Sequence, residues 1–536
     1  MNSNLDEAPN RRRSPFCPNH CAHAHSARHL QSHRRQAVES LLELGFPYSR
    51  KLSAHTSCVN ALAFSSIDGR FLASGGDDLN IHMWDLHEEE VKTPCISFRG
   101  PRRNIFVLSF SANDRYLFSG GTDDLVLKFD ASTQLERPLN PQPPGSPNWI
   151  FRQHKGSIRA IAPHSVQDEI FLSGSEDGRI FRHDGRAAPN ARIRAQDTIQ
   201  LMSEVTGVEF HPVMEHIFAT SEAGGRVCLR DLRMAFGPLV QRTGEGIVHS
   251  YHTKLSRRRT PSLSNPETLG ISFNRQGTQL AVTMLHYFPT IYNLMDSDPV
   301  AVCSAPNLPD GSPVPRGEST YENSCSTMKQ GSFGGPGLDV DTLYAAGSDD
   351  FRAYIWSLPP PAALAAQRTF ISYEDWDAGA HSGIVERTTG PRCVPAQLQT
   401  PCGRLGGHAS VVNTALIHPQ MLLVASAGIE AGIVLHGAVD SLLGGMEPTS
   451  PHTRKVGELL IEAPGDEDET IQIFDLYACL VRFSLLCLQT PSRLLRDEAG
   501  ADVFELRQWS ESDSDDSSDS DGESDSDDDA EMVVDF

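Results

Sequence analysis

Apolar and polar positions alternate along this chain in short runs, and Gly/Asp turns break the runs at regular intervals. The clearest run is GGDDLNIHMWD (Gly75–Asp85). It returns as GGTDDLVLKFD (Gly120–Asp130), GSEDGRIFRHD (Gly174–Asp184), EAGGRVCLRD (Glu222–Asp231) and GSDDFRAYIW (Gly347–Trp356). A Gly/Asp turn followed by alternating apolar residues predicts a hairpin leading into a half-buried strand. About 20 residues earlier stands an apolar triplet spaced V-x-x-L-x-F. It reads Val59, Leu62, Phe64, then Ile105, Leu108, Phe110, then Ile158 and Ile161, then Val205, Val208, Phe210, and finally Val412, Ala415, Ile417. Weaker copies end in Phe273 and Phe333.

A unit repeating at roughly 45 to 60 residues buries its faces only against copies of itself. Four antiparallel strands per unit, repeated radially, predict an all-β, seven-bladed β-propeller. The blades are expected to end near Asp85, Asp130, Asp184, Asp231, Asn293, Trp356 and His436. The fifth, Leu280–Leu294, lacks turn acids. Ser49–Ala54 is expected to supply an outer strand of the last blade, closing the ring and removing open sheet edges.

A His stands four residues before the triplet three times: His55, His154 and His408. These residues, with the small Ser74, the turn acids Asp78, Asp123, Asp177 and Asp350, and Trp84 or Trp356, resemble the WD-repeat family. The resemblance implies a buried network in which His bridges Asp and Ser, and Ser reaches the Trp N–H. Such a network is tolerable only when each donor and acceptor is met. It therefore implies a structural role, not a catalytic triad.

Composition changes this picture in three places. The formal charge of −23 is concentrated in the last 26 residues, which hold thirteen acids and no base. Eleven Cys without an extracellular disulfide spacing, and no secretory signal ahead of them, point to a reducing compartment. Nucleus and cytoplasm are expected. The most apolar window, Ile471–Leu488, carries Asp475 and Arg482, which argues against membrane spanning and for a buried or docking helix.

The expected organisation is a disordered arm over 1–25, a helix over 26–48, the propeller over 49–440, a helical extension over 441–508 and a disordered acidic tail over 509–536. Ser26 would cap the first helix, Leu30, Val38, Leu41 and Leu42 would share one side, and Gly45 and Pro47 would stop it. The segment CPNHCAHAH (Cys17–His25) offers soft ligands, but no second half of a structural zinc site follows; no metal and no cofactor is expected. Ser510, Ser512 and Ser518 have an acid three residues downstream and suit an acidophilic kinase. Gly237–Glu267, Ser304–Gly317 and Pro359–Pro401 read as polar or Pro/Gly-rich loops, common places for specific binding.

Two adjacent blades end in Asp-x-Arg, HDGR (His183–Arg186) and LRDLR (Leu229–Arg233). Arg186 and Arg233, each two residues past Asp184 or Asp231, would stand near one another on the rim as guanidinium forks for a partner's carboxylates or carbonyls. These boxes resemble the WD-x-R boxes of cullin-4-associated substrate receptors, WD-repeat subunits that dock on the damaged-DNA-binding adaptor of a cullin-4–RING ubiquitin ligase. Tyr321–Phe333 with Ala345–Pro359 resembles the penultimate blade of one branch, Gly406–Glu430 its last blade, and Glu467–Phe483 a helix found after it. The resemblance covers most of Ala27 to Arg482. The family Trp is His183 in one box and Arg230 in the next.

What this implies is a non-enzymatic substrate receptor. The leading helix with Leu41 and Leu42, together with Arg186 and Arg233, would hold the adaptor, and another surface would hold a target protein of unknown identity. The alternative is a general WD-repeat scaffold in a nuclear chromatin or RNA-processing complex. No nucleophile, acid and base converge by motif, and no phosphate-binding glycine loop is present. The basic runs Ser256–Ser262 and Arg11–Pro15 lack interleaved aromatics, so nucleic acid is an improbable ligand, as is a membrane.

Overall fold

The computed structural model describes residues 32–449, apart from 34, 133–144, 187–193, 239, 241, 257–262, 336–337, 339 and 377–381. The amino-terminal arm, Leu30, the helical extension beyond 449, Ser510, Ser512, Ser518 and the acidic tail lie outside the described residues.

Each Gly/Asp hairpin becomes the second and third strands of an antiparallel sheet, and each V-x-x-L-x-F triplet becomes the first, innermost strand. Blade 1 runs Val59–Phe64, Phe71–Gly76, Asn80–Asp85 and Ile96–Arg99. Blade 2 starts at Ile105–Phe110, blade 3 at Ile158–Pro163, blade 4 at Val205–Phe210, blade 5 at Thr268–Phe273, blade 6 at Gly331–Gly334 and blade 7 at Val412–Ile417. The innermost strands touch their neighbours in cyclic order, with blade 7 returning to blade 1. Tyr48–Leu52 pairs antiparallel with Ile433–Gly437 as the fourth strand of blade 7, so the ring is closed by a strand that precedes blade 1 in the chain.

The recurring glycines explain how the blades fit. In blades 1 to 3 the first glycine of the hairpin faces the next blade: a Cβ at Gly75 would press on Ile105 and Leu108, at Gly120 on Ile158 and Ile161, and at Gly174 on Val205 and Val208. These are the first two members of the next triplet. The following glycine meets backbone instead. A Cβ on Gly76, Gly121 or Gly428 would collide with the carbonyl of Cys58, Asn104 or Val411, just ahead of the inner strand. There, in six blades, the inner strand carries a bulge after its first residue, as between Val59 and Ala61. A bulge sharpens strand twist.

Because strands alternate in direction, connections from first to second and from third to fourth strand emerge on one face, here the lower. The Gly/Asp turns and the blade-to-blade connections emerge on the upper. Neighbouring lower turns are stapled together. Asp114 accepts from Ser66 N and Ile67 N, Asp168 from Asn113 N, and Asp341 from Arg275 N. His211 and His418 each donate Nε2–H to a glycine carbonyl of the next blade, Gly277 at 2.9 Å and Gly69 at 3.0 Å.

Two of the expected loops are partly sheet. Lys254–Ser256, between blades 4 and 5, pairs with Gly383–Val385, which continues through Arg392–Val394 to Thr369–Ile371 as an eighth, four-stranded sheet. The same insertion sends Ala396–Leu398 along Pro299–Cys303 as a parallel fifth strand of blade 5. Gly403–Leu405, just ahead of the last blade, is the outer strand of blade 6. These strands are mostly three residues long, too short to show periodicity. No described helix is long and apolar enough to cross a membrane.

Gly120→Ala is expected to destabilise the fold by about 1–3 kcal/mol through overpacking against Ile158. Ile158→Ala should relieve part of that cost, so the two substitutions should be non-additive in denaturant unfolding.

Candidate functional site

The residues of the blade network occupy the positions their spacing implied in blade 1. His55 Nδ1 lies 2.9 Å from Asp78 Oδ2, His55 Nε2 lies 2.8 Å from Ser74 Oγ, and Trp84 Nε1–H donates to that hydroxyl at 3.0 Å. In blade 3, His154 reaches Asp177 at 3.4 Å and Ser173 at 2.7 Å, and His183 takes the tryptophan's place with Nε2 2.7 Å from Ser173 Oγ. His183 also stacks on Phe171, ring centroids 4.4 Å apart. In blade 7, His408 bridges Glu430 and Ser426, and His436 stands where the tryptophan would, 2.8 Å from Ser426. Blade 4 keeps the logic with other chemistry: Arg230 Nε donates to Thr220 Oγ1 at 2.9 Å.

Each stand-in delivers an N–H to a buried hydroxyl, and burial holds it there. The His183 imidazole is pushed well below its ordinary pKa, and His436 to about 3, both chiefly by desolvation. They are neutral donors at physiological pH. Ser74 is fully buried, so its hydroxyl is closed to any substrate.

Three other expected members have different partners. Asp123 accepts the backbone N–H groups of Arg102 and Leu125. Asp350 accepts from Tyr354 Oη at 2.6 Å and pairs with Arg352. Trp356 donates to the Ser304 carbonyl at 2.7 Å, not to a serine hydroxyl. Blades 2 and 6 lack the histidine, so Asp123 satisfies backbone N–H groups and Asp350 the side chains of Tyr354 and Arg352.

The lower face carries the groups suited to binding. Asp184 ends the third strand of blade 3; its carboxylate accepts from Arg186 N at 3.1 Å, Nε at 2.8 Å and Nη2 at 2.7 Å. Asp231 repeats this in blade 4, accepting from Arg233 N at 2.8 Å, Nε at 3.1 Å and Nη2 at 2.7 Å. The arginine hydrogen bond holds each carboxyl below its usual range. Both guanidiniums are nonetheless open, with side chains 64% and 68% exposed. An exposed ion pair adds little stability, but a two-point contact to its own turn fixes where the fork points. Nη1 is not used in either bond.

Other blades fill this position differently. Asp85 receives Arg70, from the preceding turn, and Asp130 receives Ser132. The glycine in HDGR lies against the Lys128–Glu169 pair, whose charged ends a Cβ at Gly185 would push aside.

Around the two arginines the lower turns expose apolar side chains. Val166 in blade 3 and Val213 and Met214 in blade 4 project from first-to-second-strand turns at 54%, 65% and 40% exposure, and Met234 stands beside Arg233. Ile67 and Met295 extend this set to blades 1 and 5. Sequence reading missed it, since turn residues show no periodicity. Residues 35–44 form the leading helix. There Leu42, with Phe46, packs against Leu343, Ile417 and Val424 of blades 6 and 7; Leu41 is half-buried, and Leu44 is exposed.

The WD domain, G-beta repeat model matches residues 46–85 and 145–184, which are the closing strand with blade 1, and blade 3 with the strand before it. The chain is a WD-repeat protein. Among curated relatives, DDB1- and CUL4-associated factor 5 of mouse and of human are each 28% identical over 385 residues, 72% of this chain and 33% of theirs. The WD-repeat chain thus spans about a third of the length of those relatives. WD repeat protein iqw1 of Schizosaccharomyces pombe is 32% identical over 150 residues, covering 26% of this chain and 17% of that one. The likeness to the two factor 5 proteins supports the cullin-4-associated branch of WD-repeat proteins that the blade motifs resemble.

The central channel holds a cavity of about 620 Å³, lined by inner-strand residues that include Glu209, Ser272 and Gln330. Glu209 accepts Phe273 N–H at 3.1 Å, and burial pushes its pKa up to about 8.

Two measurements follow. Ser173→Ala strands two imidazole nitrogens and is expected to cost about 2–4 kcal/mol in unfolding free energy. Glu209 binds its proton more tightly folded than unfolded, so its contribution is undiminished below pH 4.5 and erodes as pH rises towards 8. Glu209→Gln should remove that loss, narrowing the difference in melting temperature between pH 5 and pH 8.

Proposed function

We propose that this WD-repeat chain is the substrate receptor of a cullin-4–RING ubiquitin ligase, docking its lower face on the damaged-DNA-binding adaptor and holding a target protein elsewhere. The observation that carries the reading is the pair of Asp-aimed, exposed guanidiniums, Arg186 and Arg233, on adjacent blades among exposed apolar turn residues. Fixed forks present charge-assisted donors without first losing side-chain freedom. Val166, Val213, Met214 and Met234 supply the apolar surround that excludes water from such contacts. The names of the mouse and human relatives, which associate with DDB1 and CUL4, support the same assignment.

The leading helix enters the interface through Leu44, the exposed member of its apolar set, while Leu42 fastens the helix to the propeller. The chain's part is proximity. A tethered target meets the ubiquitin-charged enzyme at a raised effective concentration. Catalysis resides in other subunits.

Arg186→Ala with Arg233→Ala is expected to reduce adaptor recovery in affinity purification at least tenfold, because two charge-assisted contacts of about 1.5–3 kcal/mol each are lost. The melting temperature should stay within about 1–2 °C, as the pairs are exposed. Undiminished adaptor recovery would refute the assigned contact. Recovery of chromatin or RNA-processing subunits in place of the adaptor would establish the scaffold reading.

A further inference from the structure

We propose that blade 1 contains a binding site for a divalent transition metal of the zinc class, formed by His55, Asp78 and His82. One ligand atom from each of these residues lies within 4.8 Å of the others. The two imidazole rings are 4.5 Å apart, centroid to centroid. Two histidines and one carboxylate are a donor set that zinc accepts, with a fourth position left for water.

The surroundings hold these ligands as a metal site requires. Asp78 accepts from Thr56 N and Asn80 N, each at 3.2 Å, which fixes its carboxylate in the turn. His82 Nδ1 is 2.8 Å from Ser97 Oγ; in the tautomer whose Nδ1–H donates to the serine, the Nε2 lone pair is free for a metal. His82 is 9% exposed and the Asp78 side chain, at the upper turn, 3% exposed, so the cluster lies shielded beneath that turn.

The blade network can survive occupation. Without metal, His55 donates Nδ1–H to Asp78 and accepts the Ser74 hydroxyl at Nε2. With metal on Nδ1, the other tautomer serves. Nε2–H then donates to Ser74 Oγ, and the Ser74 hydroxyl turns to the His82 carbonyl 3.4 Å away. The imidazole gains and loses no net proton, and the Trp84 bond to Ser74 is kept.

Blades 3 and 7 provide an internal comparison. They have the same histidine-to-acid bridge, but the residue two before the tryptophan position is Phe181 or Val434, not a histidine. The ring of Phe181 sits 4.5 Å from that of His154, as His82 does from His55, so a phenylalanine fits this place in a blade. In blade 7, Lys51 lies 3.2 Å from Glu430 and would repel a cation. Among the described residues, blade 1 alone combines the bridge with a third ligand.

The test is titration of the full chain with Zn²⁺ by calorimetry and with Co²⁺ by visible absorption. The intact chain should take up a metal equivalent with tetrahedral d–d bands and no thiolate charge-transfer band, which separates it from any ion held by the cysteines and histidines of 17–25. His82→Phe should lose that equivalent, or bind it at least tenfold more weakly, with an unchanged melting temperature in metal-free buffer. His82→Gln, which keeps a donor for Ser97, should do the same, and it carries the test if the phenylalanine variant misfolds. Absence of a thiolate-free equivalent in the intact chain, or its full retention by both variants, would overturn the site.

Discussion

The fold depends on a steric fit between neighbouring blades. In blades 1 to 3 the hairpin leaves out a side chain at a glycine, and the aliphatic pair that opens the next inner strand fills the space, as Ile158 and Ile161 do against Gly120; blades 4 to 7 place the small residues Ser221, Thr283, Ala346 and Ala427 there. A blade without a neighbour would expose this slot on one side and two branched side chains on the other. Stability therefore passes from blade to blade, and closure by Tyr48–Leu52 is what prevents an open edge. The fit also orders the faces. Equivalent strands run in equivalent directions, so lower turns from all blades lie side by side, close enough to be stapled through Asp114, Asp168, His211, Asp341 and His418.

Within that frame, the polar network tolerates wide substitution because its requirement is narrow. A buried serine or threonine oxygen needs one N–H from the third strand. Trp84, His183, His436 and Arg230 all provide it, although one is an indole, two are neutral imidazoles and one is a guanidinium. The replacement of tryptophan in the Asp-x-Arg boxes thus leaves the blade ends intact. Asp184 and Asp231 still stand at the ends of their strands, with the arginine two residues on. Ser74, Ser173 and Ser426 are fully buried, which closes each Ser–His–acid constellation to a substrate.

Much of this was legible in the sequence where the information was local. The triplets, the Gly/Asp hairpins and the histidine spacing located the blade core, and His55, Ser74, Asp78 and Trp84 meet as expected. Features that depend on distant pairing were not legible. The eighth sheet joins Lys254–Ser256 to Gly383–Val385 across an interval that contains the first four strands of blade 5 and the first three strands of blade 6, and three-residue strands carry no period. The outer strand of blade 6 arrives at Gly403–Leu405 only after a long excursion. Trp356 was legible as a residue but not as a contact, because its acceptor is a backbone carbonyl at Ser304. Exposure was illegible too: nothing local distinguishes Met214, on the surface, from Met284, in the core.

The insertions bear on which part of the disc remains open for a partner. The excursion from blade 6 does not spread over the lower turns of blades 3 and 4. Its strands pair with Lys254–Ser256 and, along blade 5, with Pro299–Cys303. Arg368 at its start is held by Asp296. The added mass is thus anchored on blade 5, while Asp184–Arg186 and Asp231–Arg233 keep their guanidiniums in solvent. Loops vary most freely where no partner must be met. A disc that places its longest insertion beside blade 5, yet holds two arginines in matched geometry on blades 3 and 4, keeps its constraint where a rigid contact would need it.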